Sequence, residues 1–175
     1  MKALAERKTT RQFGEGTFAP QMLSDLLWAA FGMNRPQADR PGLGRTAPSA
    51  MNRQEIDLYV ALPEGVYVYE AEPHRLRLVV AGDLRGKTGP EAAAKAAVTI
   101  AYVADYAKTN GQAGSSQVDA GFIGQNVYLF AASEHLGAWF RGSIPDKQGL
   151  EQSLKLRPEQ HVLYTQTVGY LAAKP

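Results

Sequence analysis

RKTTRQF at residues 7–13 and RTAPSAMNRQEIDLYV at residues 45–60 are the two stretches that decide the fold of this chain. The first places three cations, Arg7, Lys8 and Arg11, and two hydroxyls, Thr9 and Thr10, within five residues. Guanidinium, ammonium and hydroxyl groups are the donors that bind phosphate. Taken alone, such a run is more often a solvated helix end, so phosphate binding needs support from a second motif.

The second stretch supplies that support, because the two together resemble the nitroreductase-like flavoprotein family. The family's first helix ends in the pattern R-R-S-x-R-x-F, which falls here on Arg7, Lys8, Thr9, Arg11 and Phe13. Its next motif, P-S-x-x-N-x-Q, falls on Pro48, Ser49, Asn52 and Gln54. The segments LLWAAFGMNRP (26–36) and DAGFIGQNVYLFAASEHLGAWFRGSIPD (119–146) are similar to the same family, and particularly to its branch related to the SagB-type dehydrogenases.

The resemblance implies that the chain binds FMN through the basic segment. Arg7, Lys8 and Thr9 inherit the family's role of holding the phosphate and the ribityl chain. Arg11 is expected to lie along the ribityl chain and reach N1 and O2 of the ring. A cation there stabilises the negative charge that builds up on the reduced flavin.

The resemblance also implies that the P-S-x-x-N-x-Q motif contacts the flavin from the partner subunit. Pro48, Ser49 and Ala50 are expected to pack against the ring, while Asn52 and Gln54 orient the loop or bond the polar edge of the ring. The alternative is a plain turn in which proline and asparagine serve geometry only.

A third expected contact is the turn Arg141-Gly142-Ser143, which follows the longest predicted helix. In family members a backbone N–H of this turn donates to flavin N5. A glycine here lets the backbone approach a planar ligand closely. The alternative is that Gly142 is an ordinary turn glycine. Larger nitroreductases have an acidic residue where this chain has Arg141, which leaves substrate and nucleotide preference open. Lys174 is one candidate to complete the phosphate-binding site. The alternative is that the basic segment and Arg141 hold the phosphate alone.

Composition excludes several other classes of protein. The chain has 175 residues, 45% hydrophobic and 21% charged, which is typical of one globular domain spanning residues 1–175. A net charge of +2 without a long basic tract gives no indication of nucleic-acid binding. There is no cysteine, and the three histidines lack metal-ligand spacing. No apolar run approaches the roughly 20 residues of a membrane span and no signal peptide is visible, so we expect a soluble, cytoplasmic protein, although a removed export signal would leave the same sequence.

The periodicity predicts an α+β fold, and the resemblance implies a central, mostly antiparallel sheet flanked by helices. The predicted helices cover residues 2–9, 20–31, 89–96, 117–135 and 147–154, and the predicted strands cover 56–62, 66–70, 75–82, 97–105, 138–141 and 161–170. The helix at 117–135, predicted to end at Gly137, is apolar around most of its circumference. We expect it to be buried at the interface of a homodimer.

The function implied is an FMN-dependent oxidoreductase in which NAD(P)H and a nitroaromatic or quinone react in turn at the flavin. No catalytic side chain is required, since the flavin itself makes and breaks the bonds. A Rossmann nucleotide site is not indicated, because G-x-G-x-x-G is absent. Two alternatives stay open: a SagB-like dehydrogenase acting on peptide azolines, and a non-enzymic FMN-binding redox sensor.

Overall fold

A computed structural model describes residues 1–35 and 44–173. The helices are α1 (Lys2–Glu6), α2 (Pro20–Phe31), α3 (Glu91–Lys95), α4 (Ser116–Ser133) and α5 (Lys147–Ser153). The strands are β1 (Ile56–Leu62), β2 (Gly65–Glu70), β3 (Arg75–Ala81), β4 (Val98–Asp105), β5 (Gly137–Arg141) and β6 (Gln160–Gly169). Residues 36–43 and 174–175 lie outside the described residues, and with them Lys174, the alternative phosphate ligand.

The six strands form one sheet in the order β3-β2-β1-β4-β6-β5, and every neighbouring pair is antiparallel. The predicted α+β fold with an antiparallel sheet is therefore confirmed. Strand β4 lies near the middle, and all eight of its residues are buried, as its apolar sequence predicts. Strand β3 is an edge, and most of its residues are exposed.

The two faces of the sheet support two separate hydrophobic cores. Ile100 and Tyr102 of β4 face the core that α2 and α4 cover. Ala101 and Val103 alternate with them and face the smaller core, which includes Leu150 of α5. Alternation along the strand therefore sends neighbouring residues to different helical layers.

Helix α4 is buried on one side only within a single chain. Ala120, Ile123 and Val127 of this helix are fully buried. On the other side, Val118 is 57% exposed and Phe122 is 45% exposed. This is the uncovered apolar face that the sequence predicts for one copy of the chain. Within residues 1–35 and 44–173, no helix is long and apolar enough to cross a bilayer.

Two predicted helix boundaries are wrong. Helix α1 stops at Glu6, because Arg7 is extended (φ −57°, ψ 123°), so the basic segment is not helical. Helix α4 stops at Ser133 instead of running to 135, and its C-cap is Glu134. Gly137 does not end that helix; it is the first residue of β5.

Candidate functional site

The basic segment, residues 7–13, leaves α1 and runs beside strand β5. The Thr10 N–H donates to the Ala138 carbonyl at 2.9 Å, and Phe13 forms an antiparallel bridge with Leu171. Lys8, Thr9 and Arg11 are exposed, and Arg7 is half-buried. The backbone is thus fixed by the sheet edge while the cations and a hydroxyl remain accessible to an anion.

Tyr128 of α4 connects the basic segment to the sheet. Its hydroxyl accepts the Phe140 N–H at 2.9 Å and lies 3.1 Å from Thr9 Oγ1. The Arg7 guanidinium lies over the same ring, 5.3 Å from its centroid. One side chain therefore holds two members of the predicted phosphate site against β5.

The Trp139 ring on β5 lies close to two arginines. The Arg11 guanidinium carbon is 5.6 Å from the ring centroid and that of Arg141 is 4.9 Å from it. Both distances are within the range of a cation–π contact. Arg11 is exposed and can reach a ligand, whereas Arg141 is 7% exposed.

The Arg141 side chain is turned into the protein. It donates to Thr167 Oγ1 at 2.9 Å and to the Thr88 carbonyl at 3.2 Å. Its Nε is buried and has no acceptor among the described residues. Burial lowers the pKa of Arg141 to about 10. Since its partners are internal, the accessible cations of this region are those of the basic segment.

The loop at residues 49–54 has an unusual backbone. Met51, Asn52 and Gln54 all have φ between 48° and 54°, in the left-handed region that non-glycine residues seldom occupy. Hydrogen bonds hold this conformation: the Gln54 N–H donates to Ser49 Oγ at 3.1 Å, and Gln54 Nε2 donates to Asn52 Oδ1 at 2.9 Å. Strained backbone held in this way is typical of functional loops.

Two side chains outside the loop hold it against the rest of the protein. Asp119 Oδ2 of α4 accepts the Ala50 N–H at 2.9 Å. Arg45 Nε donates to Gln54 Oε1 at 3.0 Å. Burial lowers the pKa of Arg45. The loop that carries the second motif is therefore attached to the first half of α4.

The two motifs are attached to opposite sides of α4. Asp119 holds the loop and Tyr128 holds the basic segment, and nine residues separate them. Nine residues are about two and a half turns, so the two side chains project from opposite sides and are about 13 Å apart along the axis. The exposed face with Val118 and Phe122 lies between them. A single chain therefore does not bring the two motifs into one cleft.

The turn after β5 is at the surface. Gly142 and Ser143 are exposed, and none of the turn and loop hydrogen bonds of the described residues uses their N–H groups. A Cβ at Gly142 would lie 3.3 Å from the Tyr164 ring, so this position favours the smallest residue. The turn follows Trp139 and Arg141, and thus lies at the end of the strand that the basic segment contacts.

Comparison with known proteins identifies the family of the chain. The model of the nitroreductase family matches residues 4–170. The chain belongs to the nitroreductase family. The resemblance on which the sequence analysis relies is thereby confirmed, and so is the expected cofactor, because the nitroreductase family is FMN-dependent.

Three nitroreductase-family relatives show the extent of the similarity. A Ralstonia eutropha protein described as a nitroreductase has a crystal structure that is 36% identical, with a TM-score of 0.90 over 99% of this chain and 83% of that one. A Methanocaldococcus jannaschii protein named as a nitroreductase is 28% identical over 88% of this chain and 83% of its own. A Desulfovibrio desulfuricans protein in complex with FMN shares the fold at 20% identity, with a TM-score of 0.69 over 98% of this chain and 85% of that one.

Sequence reasoning missed several residues of this nitroreductase-family site. The sequence pattern gives Tyr128 and Trp139 no special part, and only the structure shows that they contact Thr9 and Arg11. Asp119 carried a weak signal, since it is an acid in a largely apolar helix, whereas Glu55 lies among polar residues and gave none. No metal-binding group of histidine and carboxylate side chains occurs in the described part of the chain.

Proposed function

We propose that this protein is an FMN-dependent, NAD(P)H-driven oxidoreductase that reduces nitroaromatic or quinone-type acceptors and works as a homodimer. One observation carries the proposal: exposed cations, a hydroxyl and unused backbone N–H groups are arranged along one strand, β5. This set matches a ligand with a phosphate at one end and an electron-accepting ring at the other. The described residues therefore fit FMN.

The phosphate end of the cofactor fits the half-buried Arg7 with the exposed Lys8 and Thr9. Arg7 and Thr9 are already held by Tyr128, so little side-chain freedom is lost on binding. Arg11 lies over Trp139 of β5, and Gly142 and Ser143 follow the end of the same strand with exposed backbone amides. These groups are suited to the ring, with Arg11 near N1 and O2 and a backbone N–H near N5.

The second motif would reach this site from another copy of the chain. The exposed face of α4 lies between the basic segment and the 49–54 loop, so a two-fold axis through that face places the loop of one copy beside the basic segment of the other. Burying Val118 and Phe122 also removes exposed apolar surface. Pro48, Ser49, Ala50, Asn52 and Gln54 would then contact the partner's flavin.

The chemistry that bound FMN would supply is hydride transfer, from NAD(P)H to the ring and from the ring to the second substrate. The protein's part is positioning and electrostatics. Arg11 stabilises negative charge on the ring, and the Gly142 or Ser143 N–H orients N5. With one face of the ring against β5, donor and acceptor would use the other face in turn, which would give ping-pong kinetics.

The first test of the proposal is cofactor content. Protein purified in the presence of FMN and then heated should release one FMN per subunit into the supernatant. Absence of flavin absorption in that supernatant would refute the proposal.

The second test is anaerobic stopped-flow mixing with NADH and NADPH. We expect at least one of them to bleach the flavin, and a nitroaromatic or quinone to restore its colour. A flavin that bleaches with dithionite but with neither nucleotide would contradict nicotinamide-driven reduction. Such a result would favour the sensor or the azoline dehydrogenase instead.

A further inference from the structure

Beneath the 49–54 loop, two carboxyl groups are buried together without a cation. Glu55 is fully buried and Asp119 is 3% exposed. Neither takes part in an ion pair within the described residues. Ser116, whose hydroxyl contacts Glu55, and Asp119 lie three residues apart on α4, so both carboxyl groups meet the same turn of that helix. Two buried negative charges there would be strongly unfavourable, since each loses its hydration and each repels the other.

The hydrogen bonds show where a proton is needed. Glu55 Oε1 accepts the Ser116 hydroxyl at 2.9 Å, and Asp119 Oδ2 accepts the Ala50 N–H at 2.9 Å. Glu55 Oε2 is buried and has no donor among the described residues. A proton between Glu55 Oε2 and the Asp119 carboxyl would satisfy this oxygen and remove one of the two charges.

Other ionisable groups nearby do not supply the missing charge. Tyr106, which follows β4, cannot carry a positive charge, and Asp105 at the end of β4 pairs with Arg157. Lys108 pairs with Asp57, and Arg53 donates to Gln112. On α4, burial and the Glu55 carboxyl raise the pKa of Asp119, and the Ala50 N–H opposes this.

We propose that Glu55 and Asp119 share one proton and act together as the positioning group of the 49–54 loop. In this state Asp119 can accept the Ala50 N–H without a second buried charge beside it. Ala50 is one residue from Met51 and two from Asn52, both in the left-handed region, so this bond holds the strained part of the loop. The inference rests on the proposed function in assigning the loop to the partner's flavin.

The proton gives the loop a dependence on pH. When pH rises through the raised pKa of Asp119, the proton leaves, a second buried negative charge is created, and the loop moves to let water reach it. Flavin affinity would then fall on the alkaline side. In Glu55→Gln the amide donates permanently to Asp119 and its carbonyl still accepts Ser116, so the dependence should disappear.

The experiment follows the Ala50 amide by NMR in the apoprotein across pH, in parallel with the FMN Kd. In wild type we expect the chemical shift of the Ala50 amide to titrate and the FMN Kd to rise at least fivefold as pH rises through the raised pKa of Asp119. In Glu55→Gln both should be flat, with a Kd within twofold of the low-pH wild type. Glu151→Gln, a matched change whose carboxylate accepts the Val162 N–H far from the loop, should behave as wild type.

Two variants of Asp119 test the bond to the Ala50 N–H directly. Asp119→Ala should speed hydrogen exchange at Ala50 at least tenfold and weaken FMN about as much, whereas Asp119→Asn, which can accept Ala50 and donate to Glu55, should restore both. Equal titration of the Ala50 amide in wild type and Glu55→Gln would overturn the inference. A wild type that binds no FMN would instead refute the proposed function, because the amide titration does not need flavin.

Discussion

Replacing Tyr128 with Phe tests the side chain that links the basic segment to β5, because the change deletes one hydroxyl and keeps the ring under Arg7. The hydroxyl accepts the Phe140 N–H and bonds Thr9 Oγ1. Thr9 is exposed and can turn to water, but the Phe140 amide is on a half-buried strand. A lost hydrogen bond costs about 0.5–1.5 kcal/mol, and an amide left without a partner adds to this, so we expect a loss of about 1–2 kcal/mol.

The loss should be visible both in stability and in binding. For a domain of this size, about 1–2 kcal/mol lowers Tm by about 2–8 °C. If re-ordering the loosened Thr9 region takes about 1 kcal/mol of the binding energy, the FMN Kd rises about fivefold. Circular dichroism melts of the apoprotein give Tm, and quenching of FMN fluorescence gives Kd.

Tyr67→Phe is the matched control. Tyr67 lies on β2 and makes no hydrogen bond through its hydroxyl within the described residues, so its removal should change neither Tm nor Kd. The reasoning is refuted if Tyr128→Phe melts within 1 °C of wild type and binds FMN within twofold of it. A change in Tm with an unchanged Kd would show that Tyr128 stabilises the fold without organising the phosphate site.

Three further predictions concern the cofactor, the interface and pH. Arg11→Ala should weaken FMN by about 1.5–3 kcal/mol, the range for a charge-assisted hydrogen bond, while the exposed Lys95→Ala on α3 should have no effect; fluorescence titration decides. Phe122→Glu should give monomers in light scattering, whereas Leu78→Glu, similarly exposed but on β3, should stay dimeric; a dimeric Phe122→Glu variant would exclude the α4 interface. The pKa of Asp119 lies above its ordinary 3.8, so the folded state holds this proton more tightly than the unfolded chain. Urea unfolding of the apoprotein should therefore show a contribution to stability that is present at low pH and is lost as pH rises through the raised pKa; equal pH slopes for wild type and Asp119→Asn would contradict this.

The fold could be predicted from sequence because its elements differ in local pattern. Strand β4 is a continuous apolar run and α2 starts at a proline, and both were predicted within a residue or two. The wrong boundaries lie where tertiary contacts determine the local backbone conformation. The composition of residues 7–9 is compatible with a longer α1. The helix nevertheless ends at Glu6, because the Thr10 N–H donates to a carbonyl of β5 at the sheet edge.

The site was only partly predictable, because its organising contacts join distant residues. The cations of the basic segment and the 49–54 loop were found by motif. The bond between Tyr128 and Thr9 spans 119 residues, and that between Ala50 and Asp119 spans 69. No local spacing indicates such pairs. Arg141 shows the converse: its type indicated an anion ligand, but burial gives it Thr88 and Thr167 as partners.

The central claim is that each flavin is held by the basic segment of one subunit and the 49–54 loop of the other. Arg11→Ala and Asn52→Gly damage these two halves separately, and glycine tolerates the positive φ of Asn52. Heterodimers of the two variants would contain one site with both defects and one site with neither. Flavin titration of the mixed, subunit-exchanged protein should recover one wild-type-affinity site per heterodimer, and recovery of none would show that each site is built within a single chain.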